Sequence, residues 1–273
     1  MNAPDLTKED AQLAGWPNAA RRLREALAND EFVLYCQPIL ALDPMQRYPI
    51  GEVLVRMRAE EKAHLPPGDF LPVFEHYGMM SELDRWVVRK AVKWLTANVR
   101  IPRLSVNLGG QTLEDADFPR FVAGQLAMHG VSPKAVLFEI DESDTLRRHE
   151  GALRFVTAYR AMGGAIMVDG FGRRSVSFAA IKALAPEFVK IDGSLTRKLL
   201  ESETAKRKIN ALLTVARSLD FGLIGECVEE QETLLRLKAL GVGYAQGYGV
   251  IEPQPIEIFT ADTRHHLASP ASM

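Results

Sequence analysis

The sequence predicts an α/β protein, a (β/α)8 TIM-like barrel whose first strand runs antiparallel to its neighbours. Three observations lead there. Eight short runs rich in β-branched and aromatic residues alternate with longer stretches of helical periodicity, the pattern of parallel βαβ units. Nearly every run delivers a polar residue at or just past its C-terminal end, and a barrel of parallel strands gathers such ends on one face. The length of 273 residues accommodates a barrel of roughly 250 residues with short ends to spare.

Taken in order, residues 1–20 are polar with scattered apolar positions and read as a flexible leader, and Ala19–Ala28 forms a short helix with Leu23 and Leu27 on one face. The barrel is expected over residues 21–260, and residues 261–273 as a frayed tail. The strand candidates are Phe32–Pro38, Ile50–Met57, Leu104–Leu108, Ala135–Ile140, Gly164–Asp169, Phe188–Asp192, Phe221–Glu226 and Gly243–Tyr248. Helices are expected over Gly68–Asn98, Asp117–His129, Glu150–Met162, Val176–Ala183, Glu203–Leu219 and Glu230–Leu240. No helix separates the first two strands, hence the antiparallel start. No Gly/Ser or Pro-rich linker, long charge run or internal repeat divides the chain.

Composition narrows the function. With 47% hydrophobic and 25% charged residues the chain is ordinary for a globular protein, and a net charge of -2 lacks the basic excess that suits a nucleic-acid polymer or an anionic membrane. No cationic, apolar leader opens the sequence and no apolar stretch reaches about 18 residues, so a cytoplasmic location without a membrane span is expected. Cys36 and Cys227 stand far apart and offer neither a disulfide framework nor zinc spacing. The glycine-containing stretches from Gly170 and Gly241 lack the placement of a dinucleotide or P-loop motif, and no nucleophile elbow or HExxH occurs.

The strand-end residues carry the chemistry: Gln37, Asn107, Glu139, Asp169, Lys190, Glu226 and Gln246, joined by Glu52 if the second strand runs the right way. Crowded carboxylates repel unless they are protonated or bind a metal. Oxygen donors without histidine or cysteine suit a hard cation, Mg2+ or Mn2+, and such ions commonly act on phosphate oxygens. Phosphoryl transfer or phosphodiester hydrolysis is the natural reaction class. Lys190 then steadies an attacking water or developing charge; the alternative is a structural lysine paired with a neighbouring carboxylate.

In order, Glu52-Val53-Leu54-Val55-Arg56, Ser105-Val106-Asn107-Leu108, Glu139-Ile140-Asp141-Glu142, Lys190-Ile191-Asp192, Glu226-Cys227-Val228-Glu229 and Gln246-Gly247-Tyr248 resemble the motifs of the EAL-domain family of bacterial cyclic di-GMP phosphodiesterases and degenerate receptors, from about Ala28 to Pro255. The resemblance implies metal ligation by Glu52, Asn107, Glu139, Asp169 and Glu226, a catalytic role for Glu52, Lys190, Glu226 and Glu229, and nucleotide contacts from Gln37, Leu54, Arg56, Asp84 and Gln246. One motif departs. The family's DDFG reads Asp169-Gly170-Phe171-Gly172, so a ligand to the second metal is missing, and Arg173-Arg174-Ser175 follow where small residues are usual in a loop linked to dimer contacts. The expectation is therefore a cyclic di-GMP receptor with slow or absent hydrolysis, with a homodimer or a protein effector as further partners. The alternatives are an active Mg/Mn-dependent phosphodiesterase producing pGpG and a nucleotide-independent protein-interaction module.

Overall fold

The computed structural model describes residues 18–43, 48–58, 64–173 and 178–260, the stretch 178–180 by its backbone alone. The expected leader up to residue 17, the expected tail and the Arg174–Ser175 pair lie outside the described residues. The strands are β1 (Phe32–Ala41), β2 (Ile50–Arg58), β3 (His64–Leu65), β4 (Leu104–Asn107), β5 (Val136–Asp141), β6 (Ala165–Phe171), β7 (Phe188–Ile191), β8 (Gly222–Gly225), β9 (Tyr244–Ala245) and β10 (Gln254–Pro255). They hydrogen-bond in the order β10-β1-β9-β8-β7-β6-β5-β4-β2-β3, and a further pairing of β1 with β2 closes the eight strands β1, β2 and β4–β9 into a barrel. β2 and β4–β9 are parallel, whereas β1 is antiparallel to both of its barrel neighbours, as the sequence predicts.

The helices are α1 (Ala19–Ala28), α2 (Pro67–His76), α3 (Met80–Trp94), α4 (Gly110–Leu113), α5 (Phe118–His129), α6 (Glu142–Arg147), α7 (His149–Ala161), α8 (Phe178–Leu184), α9 (Gly193–Arg197), α10 (Glu203–Leu219) and α11 (Gln231–Leu240). The single helix expected over Gly68–Asn98 is two, α2 and α3. Gly78 at φ 67 ends the first: its N–H donates to Glu75 O at 3.1 Å and that of Met79 to Phe74 O at 2.8 Å, a Schellman stop that a run of apolar residues conceals. The last strand is also shorter than expected. Beyond Ala245 the chain leaves the ladder because Gln246 turns to accept from Val228 N–H (3.0 Å) while donating to Gly225 O (2.8 Å).

Two packed layers follow from the alternation of strand side chains. Strand residues facing outward, among them Val53, Val106, Phe138, Val168 and Leu223, join one large core with helix residues such as Trp86, Val122, Phe155 and Leu212. Facing inward, Ile39, Ile50, Leu137, Met167, Phe188 and Ile224 make a separate apolar floor inside the barrel. Side chains repeat on one face every two residues. Two positions on from Ile50, Leu137, Met167, Phe188 and Ile224 therefore stand Glu52, Glu139, Asp169, Lys190 and Glu226, one storey above the floor. On the reversed β1 the same step runs backwards, from Ile39 to Gln37.

Candidate functional site

The upper storey converges on Lys190. Its Nζ lies 2.7 Å from Glu52 Oε2, 2.7 Å from Glu139 Oε2 and 3.6 Å from Glu226 Oε1, and the lysine is fully buried. Glu52 is the most satisfied carboxylate of the group. It accepts from Lys190, from Asn107 Nδ2 at 2.8 Å and from Gln246 Nε2 at 2.8 Å. Gln246 Nε2 also lies 3.2 Å from Gln37 Oε1, and Gln37 donates to Ile251 O at 3.0 Å, so the two glutamines stitch β1 to the end of β9. Asp169, by contrast, has its Oδ1 capped by the Gly170 N–H at 2.7 Å.

Charge is not balanced here. Glu52, Glu139, Asp169 and Glu226 face one ammonium, and burial raises the carboxyl pKa of Glu139, Asp169 and Glu226. Mutual repulsion adds to this, with Glu52 pressing on Glu139 most strongly. For Glu52, burial also pushes upward, but the charge of Lys190 and the three side-chain hydrogen bonds outweigh it and leave the group more acidic than usual. Desolvation alone would make Lys190 a weak base; the surrounding carboxylates overcome it and hold the ammonium protonated.

Glu139 supplies the observation that bears on a metal. Its Oε1 is buried without a hydrogen-bond partner, and its Oε2 has only the 2.7 Å ion pair with Lys190. A buried, excess-negative group with an unpartnered oxygen fits a hard cation. Among the described residues no three Asp, Glu, His or Cys side chains are drawn up as a ligand set, since the ammonium of Lys190 stands among the carboxylates.

The other expected residues divide. Leu54, Asp84, Asn107, Asp169 and Arg173 line a cleft of about 620 Å³, within the size range of small-molecule sites. Gln37, Gln246 and Arg56 do not line it. Arg56 stays at the end of β2, its guanidinium 5.5 Å over the Tyr35 ring and hydrogen-bonded to Val55 O at 2.9 Å. Asp84 is occupied: Oδ2 accepts from Gly109 N–H at 2.9 Å and from Thr112 Oγ1 at 2.6 Å, bracketing α3 to the loop after β4. Burial pushes its carboxyl up to about 7. Glu229 is not brought to the centre. It is exposed in the loop before α11 and pairs with Arg197 at 3.4 Å.

Sequence reasoning places Asp192 near Gly170, as a group that could replace the missing ligand, but misses what Arg173 meets there. Asp141 and Asp192, each just past or at a strand end, cap α6 and α9 with Oδ1, accepting the N–H of Ser143 (2.7 Å) and Ser194 (3.0 Å). Their other oxygens face Arg173, which donates Nε to Asp192 Oδ2 at 2.7 Å and sets Nη1 3.9 Å from Asp141 Oδ2. The signal was present as the repeated Asp-x-Ser at residues 141–143 and 192–194.

Fold and site together define a (β/α) barrel with a carboxylate–lysine centre at its strand ends. The chain belongs to the EAL domain family, whose model matches residues 20–253. It is 29% identical over 270 residues to the cyclic di-GMP phosphodiesterase PdeB of Shewanella oneidensis, covering 98% of this chain and 32% of that protein. With PdeF, a cyclic di-GMP phosphodiesterase of Escherichia coli K12, it shares 30% over 238 residues, or 86% of this chain and 32% of the relative. The chain thus spans about a third of the length of these curated relatives. Among solved structures, the MucR phosphodiesterase in complex with c-di-GMP aligns with a TM-score of 0.81 at 26% identity, over 88% of this chain and 99% of that one. The FimX EAL domain of Pseudomonas aeruginosa bound to c-di-GMP aligns at 0.82 and 25%, over 89% and 99%. No helix among the described residues is long and apolar enough to cross a membrane.

Proposed function

We propose that the chain is a cyclic di-GMP-binding EAL domain that hydrolyses its ligand slowly or not at all. The observation that carries this reading is the asymmetry at the end of β6. Asp169 is close enough to Glu52 and Glu139 for their charges to act on one another, but its neighbour Gly170 offers no carboxylate, and Arg173 Nη2 lies 3.2 Å from where a Cβ at 170 would sit. Two family neighbours captured with c-di-GMP support the ligand class.

On this reading Glu52, Asn107, Glu139 and Asp169 would hold a divalent ion, Mg2+ or Mn2+, with Glu226 alongside. Such an ion, when bound, polarises a phosphate oxygen and makes a bound water more acidic. The chain's own residues do the rest. Lys190 keeps its proton and opposes negative charge developing at phosphorus, while Arg56 reaches for a phosphate oxygen with a planar, charge-assisted donor pair. Leu54 and Asp84 wall the cleft, Asp84 by fixing the loop that carries Gly109. Binding draws on these groups, none of which Gly170 alters; turnover asks for further charge stabilisation in the transition state, and every 1.4 kcal/mol lost there costs about tenfold in rate.

An active Mg/Mn-dependent phosphodiesterase producing pGpG is the second reading, favoured by the 2.7 Å contacts of Lys190 with Glu52 and Glu139. Calorimetric titration with cyclic di-GMP in Mg2+ and in Mn2+, followed by chromatography for pGpG, separates the cases. Binding with intact ligand supports the receptor, and steady pGpG formation establishes the hydrolase. No binding under either metal sinks both and leaves the protein-interaction module.

A further inference from the structure

Arg173 stands where a second carboxylate would point. A Cβ added at Gly170 would lie 3.2 Å from Arg173 Nη2 and 3.4 Å from Asp141 Oδ2, so a side chain at 170 and the guanidinium compete for one space. Gly170 itself is at φ 69, and its lack of a side chain admits the arginine. The guanidinium is held from two sides by carboxylates that are themselves fixed as helix caps, Asp192 and Asp141, and Asp169 is close enough to act on it. The acidic mouth is thereby split: Lys190 serves the Glu52–Glu139–Glu226 half and Arg173 the Asp141–Asp192 half, with Asp169 between them.

We propose that Arg173 is a built-in cation on the Asp169–Asp141–Asp192 side of the mouth, standing in for a second divalent ion, so that the chain takes up one ion where an intact two-metal site takes two. The inference rests on the metal-binding part of the function proposed above and extends it. Gly170 and Arg173 then form one substitution in two parts: the glycine opens the space and the arginine fills it with fixed positive charge. A guanidinium cannot be exchanged, diluted or chelated, so this half of the site is independent of the metal supply, and it carries no water to activate.

The experiment is a Mn2+ titration of the metal-stripped protein, read by the paramagnetic resonance signal of free Mn2+, for the wild type, Gly170→Asp and Gly170→Asp/Arg173→Ala, each checked for folding by thermal melting. The wild type is expected to bind one ion per chain, Gly170→Asp still one because Arg173 pairs with the new carboxylate, and the double variant two. Two ions in the wild type, two in Gly170→Asp, or one in the folded double variant would each overturn the proposal. Should the double variant not fold, Arg173→Ala alone decides: Arg173 is more than half exposed, and its removal is expected to add a second, weaker ion that the wild type lacks. No uptake by any variant would overturn the metal ligation beneath the proposal. Cyclic di-GMP calorimetry on the same samples shows separately whether the nucleotide reading survives.

Discussion

Replacing Lys190 by methionine keeps the length of the side chain and deletes its charge. Three carboxylates lie within 3.6 Å of the ammonium, two of them at 2.7 Å, in a fully buried position. Removing one partner of a buried ion pair costs about 3–5 kcal/mol because the remaining charge is stranded. Part of that cost is relieved by proton uptake. Without Lys190 the folded-state pKa of Glu139, Asp169 and Glu226 rises further above the unfolded value, and Glu52 loses the charge that holds it below. A group so shifted leaves stability intact below its unfolded pKa, near 4, and loses it as pH climbs towards the folded value. Lys190→Met should therefore cost about 3–5 kcal/mol at pH 8, a fall in Tm of about 10 °C, and clearly less at pH 5. Urea unfolding at the two pH values measures this directly. An equal loss at both would mean that Lys190 acts through packing, and no loss at pH 8 would mean that the carboxylates are already neutral; either result refutes the charge-hub account.

Further outcomes follow from individual residues. Arg56→Ala should weaken cyclic di-GMP binding by about 10- to 150-fold in calorimetry, the equivalent of roughly 1.5–3 kcal/mol for hydrogen bonds to a charged group, with little change in Tm. Asp84 has a folded-state pKa of about 7 against an ordinary 3.8, so its contribution to stability is full below pH 4 and declines as pH rises to 7. Asp84→Asn, which retains an acceptor for Gly109 and Thr112, should flatten that decline in urea unfolding series, with a ceiling of about 4 kcal/mol on the difference at pH 8. Gly170→Ala forces a Cβ into left-handed backbone and towards Arg173 Nη2 at 3.2 Å, and is expected to lower stability by about 1–2 kcal/mol in the same assay.

Much of the site is legible in the sequence because an inward-facing strand residue leaves a local trace. Ile-Gly-Glu at residues 50–52, Leu-Phe-Glu at 137–139, Met-Val-Asp at 167–169, Phe-Val-Lys at 188–190 and Ile-Gly-Glu at 224–226 all spell an apolar floor residue followed, two positions on, by a site residue. Period two is a property of strands alone, so the pattern survives without any knowledge of contacts. The division of Gly68–Asn98 is not legible in the same way: an apolar run gives one helix its periodicity and cannot announce the left-handed residue that ends it. Nor can sequence order reveal what Arg173 meets, because Asp141 and Asp192 reach it from strands on either side of its own. Glu229 illustrates the converse. Its motif places it three residues after Glu226, yet the chain has left the strand by then, and the side chain pairs with Arg197 at the surface.

The reversed β1 links the making of the barrel to the making of its centre. Gln37 stands directly opposite Glu52 in the β1–β2 ladder, and its Oε1 accepts from Gln246 on the far side, so the closure of the barrel runs through the site itself. A slip of one residue along that ladder would present Cys36 or Pro38 in place of Gln37, and neither could accept from Gln246. The polar centre thus acts as a keystone: its hydrogen bonds reject a misaligned closure at the point where the ends of the sheet meet. The same residues thus serve the closure of the barrel, and a substitution among them is expected to lower stability as well as to alter the site.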